Sequence, residues 1–136
     1  VANGKQLCRA GIYLYLYTFN YILKQEGIKE SKVTVISQDG RFEWDSDKDE
    51  KNVQKHGFSF SEILEVFDDP YLITKFDANH STLDEERYFS VGSIRGIVII
   101  ATCHTFRDGR TRIISARKAE PKLQEVYNGY IKQINR

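Results

Sequence analysis

Methionine is absent from the 136 residues, cysteine and proline occur twice each, and histidine three times. The missing methionine implies a processed or trimmed start. Cys8 and Cys103 are far apart and form no C-x-x-C pair, which argues against a zinc ribbon or disulfide framework and points to a reduced, cytoplasmic protein. Long hydrophobic runs are also missing. The apolar stretch Ile12 to Leu23 covers 12 residues, short of the ~20 a membrane span needs. Lys5 and Arg9 precede it as in a secretory signal, but no small-x-small cleavage site follows before Gln25, so secretion is not expected. H-E-x-x-H, G-x-S-x-G and a phosphate-binding glycine loop are absent, which removes most enzyme signatures. Asp45-Ser46-Asp47-Lys48-Asp49 begins like a calcium loop, yet Glu50 stands where glycine is needed and His56 where a bidentate glutamate is needed. His56, His80 and His104 are too widely spaced for a local metal motif. Neither a metal nor a cofactor is expected.

With 40% apolar and 12% aromatic residues, the chain can bury a core without staples, and its length suits one domain. Its net charge of +1 conceals a division. Residues 41–86 carry five Lys or Arg against thirteen Asp or Glu, a balance of −8, and residues 87–136 carry ten against three, a balance of +7. Either the basic half meets an anionic partner, or the two halves neutralise each other within the fold.

The alternation of Tyr13, Tyr15, Tyr17, Phe19 and Tyr21 fits a strand, with a short helix as the alternative, and Val33 to Ile36 suggests another strand. Phe42-Glu43-Trp44 reads as a strand. Asp45 or Ser46 then caps a helix that ends at Gly57, with Lys55 and His56 in its last turn, where exposed carbonyls favour cations. Ser59 and Glu62 form a capping box, and Phe58 is placed to staple onto Ile63, for a helix that buries Ile63, Leu64 and Phe67 and stops before Pro70. Tyr71–Phe76, Arg87–Ile94, Ile97–Thr105 and Arg110–Lys118 read as strands, with turns at Gly96 and Asp108-Gly109. Pro121 opens a last helix with Leu123, Val126, Tyr127, Tyr130 and Ile134 at helical spacing. The fold class is α+β: two N-terminal helices, an antiparallel sheet of about four strands and a C-terminal helix.

The residues suited to chemistry are basic and lie on the strands. Cleaving RNA without a metal requires taking the 2′-hydroxyl proton, stabilising charge on the phosphate and protonating the leaving 5′-oxygen, and His, Lys and Arg can do all three. A two-residue turn at Asp108-Gly109 places Arg107 opposite Arg110, His104 opposite Ile113 and Thr102 opposite Ser115. His104, Ser115 and Arg117 then share one face while Arg112 points to the other with Cys103 and Ile114, unless a bulge shifts the register. The plainer readings are a hydrogen-bonded structural His104, an exposed ion pair at Arg87, an Arg117 that bridges to the last helix, and a Cys103 that acts as a small hydrophobe.

The order of motifs is Phe42-Glu43-Trp44-Asp45, Lys55-His56-Gly57, Val66-Phe67-Asp68-Asp69-Pro70, Asp84-Glu85-Glu86-Arg87, Val91-Gly92, His104-Thr105 and Arg112-Ile113-Ile114-Ser115-Ala116-Arg117. This series, spanning about Phe42 to Tyr130, resembles the BrnT toxin family. The resemblance implies a RelE-like fold, an RNA-cleaving activity that arrests growth, and a BrnA-like antitoxin whose ribbon-helix-helix domain binds operator DNA, which the toxin meets only through it. Carried onto matching positions, it implies His56, Arg87, Arg117 and His104 as catalytic residues and Lys55, Glu86 and Arg112 as substrate contacts. Residues 1–40 depart from the family as an N-terminal extension ahead of a toxin domain at 41–136. The alternative function is a non-catalytic nucleic-acid-binding or protein-interaction module, a degenerate toxin.

Overall fold

Asp45 ends one element and starts the next. It closes β2 (Phe42–Asp45) and, in an extended conformation, caps α1 (Ser46–His56) by accepting from the Asp47 and Lys48 N–H groups at 3.0 and 3.1 Å. Two donors that a helix start leaves open are thereby satisfied. Gly57, at φ 79°, ends α1 in the left-handed region and returns its N–H to Val53 C=O; any Cβ would be strained there. The expected capping box of Ser59 and Glu62 opens α2 (Phe60–Ile63), and Phe58 packs against the core that holds Ile63. The helix is shorter than the sequence suggests. After one turn it tightens into a 3-10 segment, Leu64–Asp68, which ends ahead of Pro70.

This computed structural model describes residues 18–19, 21–22, 25–27 and 32–136. The chain divides into two compact units, Val1–Lys32 and Val33–Arg136. In the first, Thr18, Phe19, Tyr21, Ile22 and Gln25 are helical, where the alternation pointed to a strand. A tyrosine at every second position also falls at every fourth, so one pattern serves both periods. Tyr13, Tyr15 and Tyr17 lie outside the described residues.

In the second unit six strands are ordered β1-β2-β6-β5-β4-β3: β1 (Thr34–Ile36), β2, β3 (Ile73–Phe76), β4 (Arg87–Ile94), β5 (Val98–Arg107) and β6 (Arg110–Lys118). All neighbouring pairs are antiparallel except β2 and β6, which run parallel. The sheet is therefore mixed and six-stranded rather than antiparallel with about four strands. The parallel pair joins residues near 43 to residues near 112, a contact that no local pattern signals. Two successive residues with positive φ mark each long hairpin tip, Arg95-Gly96 at 54° and 68° in the three-residue turn before Val98, and Asp108-Gly109 at 50° and 78° in the two-residue turn between Arg107 and Arg110, a geometry that matches the strand twist.

Each face of the sheet carries its own core. On one, Phe42, Trp44, Ile100, Ile113 and Ala116 pack with Phe60, Ile63 and Val66 of the helical layer. On the other, α3 (Pro121–Ile134) lays Tyr127 on Val91 and Ala101. Beyond the short β2, the edge of β6 is completed by a side chain. Asn52 of α1 donates to Ala116 C=O at 2.8 Å and accepts from Ala116 N–H at 3.0 Å, as a neighbouring strand would. It also donates to Phe58 C=O at 2.8 Å.

Candidate nucleic-acid interface on the arginine face of the sheet

The hairpin of β5 and β6 keeps its predicted pairing from Arg107–Arg110 to His104–Ile113, and then slips. A bulge leaves Ile114 without a partner, so Cys103 faces Ser115, Thr102 faces Ala116 and Ala101 faces Arg117. An extra residue inverts the facing of everything after it. Ser115 and Arg117 consequently stand on the face of Arg112, not on the face of His104 as an unbulged hairpin would have them. Thr102 pairs with Ala116 in place of the expected Ser115 for the same reason.

Three rows of side chains therefore cross the α3 side of the sheet. Inward from the Arg107–Arg110 pair at the hairpin end, they are Arg87–Thr105–Arg112–Glu43, then Lys75–Phe89–Cys103–Ser115, then Ile73–Val91–Ala101–Arg117. The third lies at the margin of α3, whose core takes up Val91 and Ala101. Adjacent strands are ~4.8 Å apart and same-face residues ~6.6 Å apart along a strand, so Arg87, Arg112 and Arg117 surround a patch on the order of 10 Å across. Each meets a carboxylate. Arg112 donates to Glu43 at 2.9 Å with side chains 15% and 6% exposed, Arg87 to Glu85 at 2.9 Å, and Arg117 to Glu120 at 2.7 Å with 42% and 63% exposed. The bridge from Arg117 to the last helix is thus present. Glu85 also meets Arg107 at 3.3 Å, and its bonds to Arg87, with both arginine charges, hold its carboxyl below the usual range.

Lys55 and His56 close α1, four residues or fewer past the Asn52 that grips Ala116. One helical turn of ~5.4 Å places His56 on Asn52's side of the helix, at the edge of the strand that carries Arg117. Glu86 departs from the arginine face. Its carboxylate accepts from the Tyr88 hydroxyl at 2.9 Å, on the side of the sheet where Tyr88 pairs with His104.

His104 falls outside this site. It is 3% exposed on the helical side of the sheet, ringed by Phe67, Tyr88 and Phe106 at 5.2, 5.9 and 5.8 Å between centroids. Nε2 meets Ser90 Oγ at 2.8 Å, and Nδ1 is buried without a partner. Burial lowers its pKa to about 4. The imidazole is therefore neutral near pH 7 and enclosed on the face away from the three arginines.

Sequence reasoning passed over Glu43 and Lys75. Glu43 was legible, because Phe42 and Trp44 are both core residues and strand alternation turns the residue between them to the other face. Cys103 is a free thiol, half-buried on the arginine face. Among the described residues no cluster of His, Cys, Asp or Glu is arranged to hold a metal ion, and no helix is long and apolar enough to cross a membrane.

The sequence model of the family described as the ribonuclease toxin BrnT of type II toxin-antitoxin systems matches residues 44–122. The chain belongs to the BrnT toxin family, whose members are ribonuclease toxins, a description that implies RNA as substrate and an antitoxin as partner. Among solved structures, the chain is similar to the Brucella abortus ribonuclease toxin BrnT, solved at 1.1 Å, with 28% identity and a TM-score of 0.44 over 57% of this chain and 92% of that one. No curated protein matches.

Proposed function

We propose that this protein is a metal-independent endoribonuclease toxin of RelE-like descent. It acts in the cytoplasm and is neutralised by a ribbon-helix-helix antitoxin, through which alone it meets operator DNA. The observation that supports the reading is the gathering of Arg87, Arg112 and Arg117 on one face of the sheet, with Arg117 brought there by the bulge at Ile114. Three guanidiniums favour a ligand that concentrates negative charge, and a phosphodiester passing to a pentavalent transition state gains charge where they stand. In this reading Arg87 and Arg117 bind phosphate oxygens and Arg112 sets the potential of the floor. Lys55 makes a further phosphate contact at the rim. His56 takes the proton of the 2′-hydroxyl, the 2′-oxygen bonds to phosphorus, the bond to the 5′-oxygen breaks, and that oxygen takes a proton from water. Glu86 holds Tyr88 and the start of β4.

The test is induced expression of the full chain in a host lacking the antitoxin, beside Arg117→Ala and His56→Ala. Growth arrest with fragmented RNA, relieved by either substitution, is expected. Intact RNA from soluble, folded protein would overturn the catalytic reading. If the same protein binds RNA in a salt-dependent way, a non-catalytic binding module takes its place.

A further inference from the structure

We propose that the flank of α3 carrying Lys122, Val126 and Tyr130 forms the side wall of the RNA groove, with the Tyr130 ring stacking on a nucleobase. The inference rests on the RNA reading of the arginine face and adds to it an exposed surface for bases. It begins from the way α3 is tied down. Its start is fixed where Ala119 N–H donates to Ile99 C=O at 2.8 Å, its middle where the Tyr127 hydroxyl donates to Asp69 at 2.7 Å, and its end where Tyr71 meets Asn135 at 3.4 Å. The helix therefore crosses the sheet with Tyr127 down.

One flank, with Gln124, Asn128 and Ile131, lines a groove of about 650 Å³ shared with Arg95 and Ile97 of the β4–β5 turn. At 3.6 residues per turn, Lys122, Val126 and Tyr130 lie on the other flank, and the sheet on that side of α3 is the floor of Phe89, Cys103, Ser115 and Arg117. Val126 is 58% and Tyr130 39% exposed, although both belong to the apolar stripe of the helix. Among the described residues Tyr130 has no hydrogen-bond or ring partner, and it is 39% exposed. A cation, an aliphatic and an aromatic at successive turns, beside a floor of arginines, match the two parts of a nucleotide: phosphate for the cations, base for the ring.

Gly129 marks the upper edge of the same flank. A Cβ there would meet nothing within 4 Å, and its φ is not positive. Neither packing nor turn geometry requires glycine, which weakens a helix interior relative to alanine. A ligand backbone passing close to the helix supplies the missing reason.

The experiment uses the full chain and a fluorescein-labelled 2′-O-methyl RNA oligonucleotide, which lacks the attacking hydroxyl, in intact form and with one abasic position, read by anisotropy. Tyr130→Ala is expected to weaken binding of the intact strand about 5-fold or more, at the lower end of base–aromatic stacking, and to leave the abasic strand unchanged. Tyr130→Phe retains wild-type binding. Gly129→Ala raises the melting temperature yet weakens binding. Arg117→Ala weakens both strands alike and reports on the parent reading. If Arg117→Ala has its effect and Tyr130→Ala has none, or weakens both strands equally, the wall is refuted and the arginine face stands. If Arg117→Ala changes nothing, the RNA reading itself fails.

Discussion

Acidification should expose His104 as a weak point in the fold. Its native pKa is held to about 4 by burial against an ordinary value of 6.5. Between those values the unfolded chain binds a proton that the native ring refuses, so stability is full above about pH 6.5 and is lost as pH falls toward 4. The fall from 6.5 to about 4 corresponds to about 3 kcal/mol. That is a large share of the ~5–15 kcal/mol holding a domain together. The ring is 3% exposed and its Nδ1 already lacks a partner, so solvent offers little relief. Urea unfolding at steps from pH 7.5 to 4.5 measures the loss, and His104→Phe isolates it, because other titrating groups cancel in the difference. Ser90 keeps its bond to Thr74 at 2.8 Å in that variant, which limits collateral damage. The difference curve should slope across pH 6.5 to 4 and be level above. A flat difference would mean that the ring takes up its proton without penalty and that the desolvation argument is wrong. His104→Phe should also leave RNA cleavage intact per folded molecule, since the ring lies on the face away from the arginines.

Two further outcomes follow from the packing. Gly92→Ala should destabilise by about 1–3 kcal/mol, because the new Cβ would sit 2.9 Å from Leu72 Cδ1, 3.1 Å from Val66 O and 3.2 Å from Asp69 Oδ2; a change under 0.5 kcal/mol in urea unfolding would show that the 3-10 segment can back away from β4. Asn52→Ala should cost about 2–4 kcal/mol, since it leaves the Ala116 N–H and C=O and the Phe58 C=O without their partner, and amide hydrogen exchange at Ala116 should accelerate if the side chain stands in for a strand.

Much of this architecture could be read locally. The Asp45 cap, the Ser59 and Glu62 box, Gly57 and both hairpin turns are short-range choices that residues make with their neighbours, and the helices and long strands followed from them. What escaped was non-local or too short to carry a period. β2 spans four residues and finds its parallel partner far along the chain. The end of α2 tightens because the segment after it must lie on Gly92, with Asp69 taking the Ser93 N–H at 2.6 Å. At the site, the residue types were legible and their grouping was not. Parity placed Arg117 beside His104, and a single unpaired residue, Ile114, moved it to Arg112. Nothing in Arg112-Ile113-Ile114-Ser115 distinguishes a bulged strand from a regular one, because two successive isoleucines suit either.

The opposition of an acidic and a basic half takes a definite form in the ion pairs of the arginine face. Arg87, Arg112 and Arg117 are each neutralised by a carboxylate, and what separates them is exposure. Arg112 and Glu43 are sealed at 15% and 6%, so removing the glutamate would strand a buried cation, and a ligand cannot take its place without unfolding the floor. Arg117 and Glu120 meet at 42% and 63% exposed, where an ion pair is worth ~0–1 kcal/mol and a phosphate can displace the carboxylate at little cost. Arg87 and Glu85, at 35% and 30%, lie between. Under the proposed function, the same residue type therefore divides into a fixed source of potential and two exchangeable contacts. Deleting Glu120 should tighten RNA binding, whereas deleting Glu43 should not.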